Sequence, residues 1–382
     1  MWIYLLLASG LFMGWSLGTN DAANAFGTAV ATRVVRYRTA VIIIAIAVII
    51  GAVLQGDGNI TKLAELANSN QVTATLDETE KAIAAGESAV ATLRLKSALK
   101  AAIIFACAAI TVFVMSYLKF PVSANQSITG AIIGWGLFHA DYSNPEVLAV
   151  NLPQIGKFAS TWLINPLGAA AISFVLVFLV KKFLENRIMS MKNYDLFIKI
   201  GYIVAGAISA YSIGVNSSAS VTALYYDLYG AETGVATNLF SDALLPTWQL
   251  PLLDEVSVAA TLTAVVGGIA IAVGVLTFSK RVMMTVGGSI ADINQVEGFL
   301  VIIAMALTVL LMGKLMGIPV STSQAVVGAV IGAGLVTSIK TKSLANVNFK
   351  VFGRIGIAWV SSPTVAGLLT YLVALTTKGY FA

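Results

Sequence analysis

Polar side chains interrupt an apolar stretch near the start of the chain. The motif Gly-Thr-Asn-Asp-Ala-Ala-Asn occupies residues 18–24, inside an apolar segment that runs from residue 2 to residue 32. Amides and carboxylates in hydrocarbon need partners, because an unpaired polar group there is costly. Two interpretations are open: a kinked membrane helix whose polar groups satisfy one another, or a broken helix whose half-helix ends and side chains bind an ion.

A second polar motif fits an anion site. Residues 120–130 read Phe-Pro-Val-Ser-Ala-Asn-Gln-Ser-Ile-Thr-Gly, and residues 318–328 read Ile-Pro-Val-Ser-Thr-Ser-Gln-Ala-Val-Val-Gly. Proline suits the first turn of a helix, so each motif predicts the start of a half-helix. The free N–H groups and positive dipole end of such a turn bind anions without Arg or Lys. Each copy taken alone also fits an ordinary capped helix start.

Asp21 is the only acidic residue inside a predicted apolar span. Its carboxylate could bind Na⁺, for which oxygen ligands are suited, or carry a coupling proton. It could also accept a hydrogen bond from the P–OH group of monohydrogen phosphate, which ionised sulfate does not offer. Ser217 stands at the equivalent place in the second copy, so the predicted site is asymmetric in charge.

The chain is an internal duplication. Residues 14–24 align with 210–220, and residues 120–130 align with 318–328. A Trp-x-x-x-Pro motif begins at Trp162 and again at Trp359. The three offsets of 196, 198 and 197 residues nearly coincide, and separate segments rarely agree in this way by chance.

Composition places the chain in a membrane. It has 382 residues, of which 58% are hydrophobic and 11% charged, with a mean hydropathy of +0.87. We therefore predict an all-α polytopic membrane protein. One His and one Cys argue against a metal centre, a catalytic triad or any enzyme, and no cofactor is expected. The charge of +5 is spread over loops and does not indicate nucleic acid.

The apolar runs predict ten spans in two repeats. They lie at about 2–32 (broken), 39–56, 97–117, 121–138, 158–180, 200–226 (broken), 256–279, 298–316, 318–338 and 355–377. The first repeat covers 1–180 with an extramembrane helical insert at 57–96, a cytoplasmic linker covers 181–199, and the second repeat covers 200–382. No cleaved signal peptide is expected.

Charge predicts the orientation of the repeats. Basic clusters follow the first span, fill the linker and flank the later spans, whereas residues 200–279 contain acidic residues and no Lys or Arg. The positive-inside rule makes the basic segments cytoplasmic. Five crossings per half would make the repeats antiparallel, as in many secondary transporters with discontinuous helices. The alternative, in which 121–138 and 318–338 are re-entrant, is disfavoured by the basic linker.

These motifs resemble the inorganic phosphate transporter (PiT) family, which is related to type III sodium–phosphate cotransporters. Residues 18–25 match the family signature Gly-Ala-Asn-Asp-Val-Ala-Asn-Ala in all but two positions, and the two Pro-Val-Ser motifs are similar to its repeated Pro-Val-Ser-Thr-Thr-His segments. The resemblance implies inverted repeats, a phosphate site formed by the paired motifs, symport with Na⁺ or H⁺, and a homodimer. This chain departs from the family at Ser217, where Asp is usual, and at Gln126 and Gln324, where many members have His.

The resemblance also implies the site residues. For phosphate they are Asn24, Ser123, Gln126, Ser127, Asn216, Ser220, Ser321, Thr322, Ser323 and Gln324. For sodium they are Asn20, Asp21, Ser217, Ser123 and Ser321.

We therefore predict a secondary active transporter in a plasma membrane, of prokaryotic inner-membrane type. It would move inorganic phosphate with Na⁺ by alternating access. The alternatives are a proton-coupled phosphate or sulfate transporter and, from a different class, a passive anion channel, which would not accumulate its substrate.

Overall fold

The computed structural model describes residues 2–56, 63, 81, 84–120, 122–139, 152–184, 190–218, 220–222, 255–286, 293–316, 319–341 and 349–381. In these residues the chain is helical apart from short turns, which confirms the all-α fold class. The first-half helices are α1 (Trp2–Ala31), α2 (Tyr37–Gln55), α3 (Glu87–Tyr117), α4 (Ala124–His139) and α5 (Leu152–Leu184). The second-half helices are α6 (Met191–Ser217), α7 (Glu255–Phe278), α8 (Lys280–Val286), α9 (Gln295–Met316), α10 (Thr322–Thr341) and α11 (Phe349–Phe381).

Seven of the described helices are long and apolar enough to cross a membrane: α2, α3, α5, α6, α9, α10 and α11. The predicted spans coincide with helices, and the bounds differ mostly at the ends. The described part of the predicted linker at 181–199 is mostly helical, because α5 continues to Leu184 and α6 begins at Met191. Most of the predicted insert at 57–96 lies outside the described residues, and its last ten positions belong to α3.

α1 is unbroken, so the predicted interruption at residues 18–24 is wrong. The helix runs from Trp2 to Ala31 through the whole Asn-Asp motif. Gly18 serves close packing instead, since a Cβ there would lie 2.0 Å from the carbonyl oxygen of Ile271 on α7. The second copy does end a helix, because α6 stops at Ser217. Backbone atoms of α1 are therefore committed to the helix, and only its side chains are free to bind a ligand.

α9 and α10 form a hairpin whose tip is the second Pro-Val-Ser motif. Thr337, near the end of α10, donates a hydrogen bond to Glu297 in the first turn of α9 (2.9 Å), while the other ends of both helices meet at residues 316–322. α3 and α4 are arranged in the same way. Phe138, near the end of α4, packs on Tyr371 (5.8 Å between ring centroids), and Cys107, well before the end of α3, interacts with the neighbouring Thr370.

Close contacts fix the relative directions of four long helices. α7 runs in the same direction as α1, α2 runs in the same direction as α6, and α2 and α7 run in opposite directions. The contacts are Gly14 with Ala270 and Gly18 with Val275 for α1–α7, Gly51 with Tyr211 and Gly56 with Ser218 for α2–α6, and Gly56 with Ala264 and Gly268 with Ala52 for α2–α7. α1 and α6, which carry the two Asn motifs, therefore run in opposite directions.

Each hairpin enters beside one of these motif helices. Along α1, Trp15 packs on Phe113 of α3 (5.4 Å) and Asn20 bonds Ser116 (2.9 Å), so α3 runs with α1. Along α6, Tyr202 packs on Phe299 at the start of α9, and Asn216 bonds Val320 just beyond the end of α9, so α9 runs with α6. The two hairpins consequently approach each other from opposite directions.

Contacts between the halves come in exchanged pairs. α4 of the first half packs on α11 of the second, where a Cβ at Gly130 would lie 2.2 Å from the carbonyl oxygen of Pro363. α10 packs on α5 in the same way, with a Cβ at Gly328 falling 2.1 Å from the carbonyl oxygen of Pro166. Both positions require glycine because helix backbones touch there.

Candidate functional site

The two hairpin tips open their second helices with the same cap. The Ser123 hydroxyl accepts a hydrogen bond from the Gln126 N–H at 3.2 Å, and the Ser321 hydroxyl accepts one from the Gln324 N–H at 3.2 Å. Serine is a favoured N-cap because its short side chain reaches the free donors of the first turn. The predicted helix starts at both Pro-Val-Ser motifs are therefore confirmed.

The tips are bonded directly to each other. Asn125 of the first tip donates to the Val320 carbonyl at 2.7 Å, and Ser323 of the second donates to the Val122 carbonyl at 2.6 Å. Asn125 and Ser323 occupy equivalent positions of the two motifs, as do Val122 and Val320. The positive ends of α4 and α10 thus face a common buried region.

The Asp21–Asn24 face of α1 meets the second tip. The Asn24 amide group donates to Thr322 at 3.1 Å, to Ser323 at 3.4 Å and to the Asp21 carboxylate at 3.4 Å. The Thr322 hydroxyl also interacts with Asp21. Asp21 is therefore held beside the opening turn of α10, where backbone N–H groups and a negative charge attract each other.

Asn20 meets the first tip instead. Its amide group donates to Ser116 at 2.9 Å and to the Phe120 carbonyl at 3.2 Å. That carbonyl is available because the chain leaves α3 through Lys119, which has a left-handed φ of 66°. Asn20 and Asn24 therefore tie one helix to both tips.

The second Asn motif lies against the tips from the other side. Asn216 donates to the Val320 carbonyl and accepts from the Val320 N–H, both at 2.8 Å. It also donates to the Ser217 hydroxyl at 3.4 Å. The Ser220 hydroxyl makes a short hydrogen bond to the Asn125 side chain.

Every side chain predicted for the site is buried, with at most 4% of its surface exposed. The structure brings the two Asn motifs and both tips into one cluster. Ser127 is the least available, because its hydroxyl donates to the Ser123 carbonyl of its own helix (3.1 Å).

Four amide oxygens of the predicted site residues have no hydrogen-bond partner among the described residues. They are Asn20 Oδ1, Asn24 Oδ1, Gln126 Oε1 and Gln324 Oε1. Buried polar atoms are almost always satisfied, so these four oxygens are available as ligands for a cation or as acceptors for a bound donor. Asp21 supplies the only carboxylate in the cluster.

Two asparagines of the site were not among the predicted site residues. Asn125 holds the tips together, and Asn165 of α5 donates to the Ser321 carbonyl at 2.6 Å with its own Oδ1 unpaired. Asn165 lies within the first Trp-x-x-x-Pro motif, and its equivalent, Ser362, has an unpaired hydroxyl. The repeat of that motif was the available signal.

A second buried carboxylate lies away from the tips and was not predicted. Glu297 forms an ion pair with Lys181 of α5 and accepts hydrogen bonds from Thr337 of α10 (2.9 Å) and the Asn294 N–H (2.7 Å). The statement that Asp21 is the only acidic residue in an apolar span is thus wrong, because α9 begins at Gln295. This cluster fastens α5, α9 and α10 at the end opposite the tip.

The sequence profile of the phosphate transporter family matches residues 17–370. The match includes both Asn motifs and both hairpin tips. The chain belongs to the phosphate transporter family. Family membership confirms the resemblance found in the sequence and the prediction of a transporter that is not an enzyme. This phosphate transporter family member is a multi-pass membrane protein with prokaryotic relatives.

Its relatives cover nearly the whole chain. A protein of Pyrococcus horikoshii, named "Putative phosphate permease", is 27% identical over 97% of both chains. A relative of the same name from Thermococcus kodakarensis is 26% identical over 97% of this chain and 96% of its own. A solved structure described as "The sodium-dependent phosphate transporter" superposes with a TM-score of 0.70 over 99% of both chains at 21% identity. That likeness supports the family fold.

Proposed function

We propose that this family member is a symporter that moves inorganic phosphate together with Na⁺ by alternating access around the hairpin tips. The single observation that carries the proposal is the cluster of two helix openings, one buried carboxylate and four orphaned amide oxygens. The helix openings would bind an anion, and the carboxylate with the amide oxygens would bind a cation. Phosphate is the substrate class of the family.

Phosphate would bind at the opening turns of α4 and α10. These turns offer backbone N–H groups and the hydroxyls of Ser123, Ser321 and Thr322. Gln126 and Gln324 lie in the same turns and would complete the shell, with Asn24, Asn216, Ser220 and Ser323 holding it in place. Helix openings bind anions without any Lys or Arg, and the buried side chains of the described residues include neither.

Sodium would bind beside the phosphate at Asp21. The unpaired Oδ1 atoms of Asn20 and Asn24 are neutral oxygen ligands on the same face of α1. A cation there offsets both the carboxylate and the anion, so each ligand raises the affinity for the other. An Asp21 carboxylate would also accept a hydrogen bond from the P–OH of phosphate, which selects against sulfate.

The two halves would be inverted repeats. The exchanged contacts and the opposite directions of α1 and α6 support a two-fold axis in the membrane plane through the tip contact. Each half would then cross three times, with α7 and α8 together making one crossing of the second half, and add one re-entrant hairpin. Three is an odd number of crossings, so the basic linker at 181–199 still lies on the cytoplasmic side, as the positive-inside rule predicts. Alternating access would move the helices around the tips.

A homodimer also remains a prediction, which light scattering of the purified protein would test.

Uptake of radiolabelled phosphate into proteoliposomes tests this proposal. We expect uptake with an inward Na⁺ gradient and none with an equimolar K⁺ gradient, and excess sulfate should not compete. Uptake driven only by a proton gradient would contradict sodium coupling. Full competition by sulfate would contradict the role of the P–OH group.

A further inference from the structure

The two copies of the Asn motif are not equally free to bind a cation. We infer that the carrier binds one sodium ion per chain, at the first copy, and that the second copy holds no cation. This inference rests on the proposed function, because it assumes that sodium is the coupling ion. It concerns how many ions the duplicated motif provides.

The first copy has oxygen atoms to spare. Asn20 and Asn24 lie one turn apart on the same face of α1, and the Asp21 carboxylate accepts a hydrogen bond from the Asn24 amide group at 3.4 Å. Both asparagine Oδ1 atoms are buried and unpaired. Their orientation is fixed, because the amide groups donate to the Phe120 carbonyl and the Asp21 carboxylate, which only accept.

In the second copy the equivalent side chains are already hydrogen-bonded within the protein. Asn216, the equivalent of Asn20, uses both ends of its amide on the backbone of Val320 at 2.8 Å. Ser217 replaces the carboxylate and accepts from Asn216. Ser220, the equivalent of Asn24, donates its proton to Asn125.

A cation at the second copy would find only oxygen atoms that already take part in this network. It would have to share Asn216 Oδ1 with the Val320 N–H, which already occupies one of the two lone pairs of that oxygen. No carboxylate is there to offset the positive charge. At the first copy no protein hydrogen bond has to break for the two amide oxygens to bind sodium. The duplication therefore provides two homologous motifs but one cation site, and the second motif instead fixes the tip of the α9–α10 hairpin.

Equilibrium binding of radioactive sodium to the purified full-length protein tests this inference. The measurement uses saturating phosphate and constant ionic strength held with choline chloride. One displaceable sodium ion per chain supports the inference, and two would overturn it. No displaceable sodium would contradict sodium coupling itself, so a failure of the proposed function is distinguishable from a failure of the ion count.

Variants at equivalent positions locate the ion. Asp21→Asn should lose the sodium ion, and Ser217→Ala should still bind one ion per chain. If Asp21→Asn does not fold, Asn24→Ala should bind one ion with a dissociation constant raised about tenfold, the cost of one neutral ligand. Loss of sodium in Ser217→Ala with retention in Asp21→Asn would place the ion at the second copy and overturn the inference. The uptake rate should depend on sodium concentration with a Hill coefficient of about one, and a clearly steeper dependence would contradict the single site.

Discussion

Asn216 holds the backbone of Val320 from both sides, donating to its carbonyl and accepting from its N–H at 2.8 Å. The two residues lie on α6 and on the α9–α10 tip, 104 positions apart in the chain. The side-chain amide forms the two hydrogen bonds that a neighbouring backbone segment would otherwise form. It thereby fixes the position of the backbone just before α10 relative to α6.

Asn216→Ala should destabilise the fold. Val320 keeps the hydrogen bond from Asn125 to its carbonyl, but its buried N–H loses its acceptor, which costs about 1–3 kcal/mol. Thermal unfolding of the detergent-solubilised protein measures the loss. Asn193→Ala is the matched control, because Asn193 is exposed in the first turn of the same helix. Equal unfolding temperatures for the two variants would contradict the role of Asn216.

Asp21→Asn should shift sodium-dependent phosphate uptake to much higher sodium concentrations while leaving the protein folded. Asparagine has nearly the same shape, but the charge that attracts the cation is lost. Losing a charged ligand is worth at least ~1.4 kcal/mol, so sodium affinity should fall by about tenfold or more. Uptake at varied sodium concentration measures the effect, with the exposed Asp195→Asn as control. Normal uptake with unchanged ion dependence in Asp21→Asn would refute the assigned role.

Gly328→Ala should separate α10 from α5. The added Cβ would lie 2.1 Å from the Pro166 carbonyl oxygen, and overpacking of this kind costs about 1–3 kcal/mol. Gly313→Ala on α9 is the control, because no atom lies within 4 Å of its added Cβ. There alanine should be neutral or stabilise the helix by up to about 1 kcal/mol. The prediction fails if both variants unfold at the same temperature as the wild type.

Lys181→Met should destabilise the end of the α9–α10 hairpin that lies away from the tip. It leaves the buried Glu297 carboxylate without its cation, and we expect a cost of about 1–3 kcal/mol because Lys181 is itself partly exposed. Lys182→Met, at an exposed position, should have little effect. Adding Glu297→Gln to Lys181→Met should recover much of the loss, since it removes the unpaired charge. Strict additivity of the two changes in a double-mutant cycle would show that the residues are not coupled.

Much of the architecture follows from local sequence signals. Continuous apolar runs placed the helices, and Pro-Val-Ser placed the openings of α4 and α10, because proline and serine act on their own turn. The family resemblance implied a site formed by the paired motifs, and the bonds from Asn125 to Val320 and from Ser323 to Val122 bring the two Pro-Val-Ser motifs together.

Other features depend on whether local helix propensity or the cost of exposing polar groups to hydrocarbon is larger. The predicted break in α1 relied on the weak helix propensity of Gly18 and its polar neighbours, worth about 1 kcal/mol per residue at most. Opening a helix in hydrocarbon exposes backbone groups at a greater cost, so the helix continues and the side chains find partners on the tips. Lys181 and Glu297 lie in different halves of the chain, and the sequence around either residue does not indicate that they form a pair.

Sodium-driven accumulation of phosphate is the decisive test of symport. Purified protein in proteoliposomes is given radiolabelled phosphate at equal concentration on both sides and an inward Na⁺ gradient. We expect internal phosphate to rise above the external concentration and to fall back when a sodium ionophore collapses the gradient. Equilibration without accumulation, unaffected by the ionophore, would contradict symport and indicate a passive anion pathway.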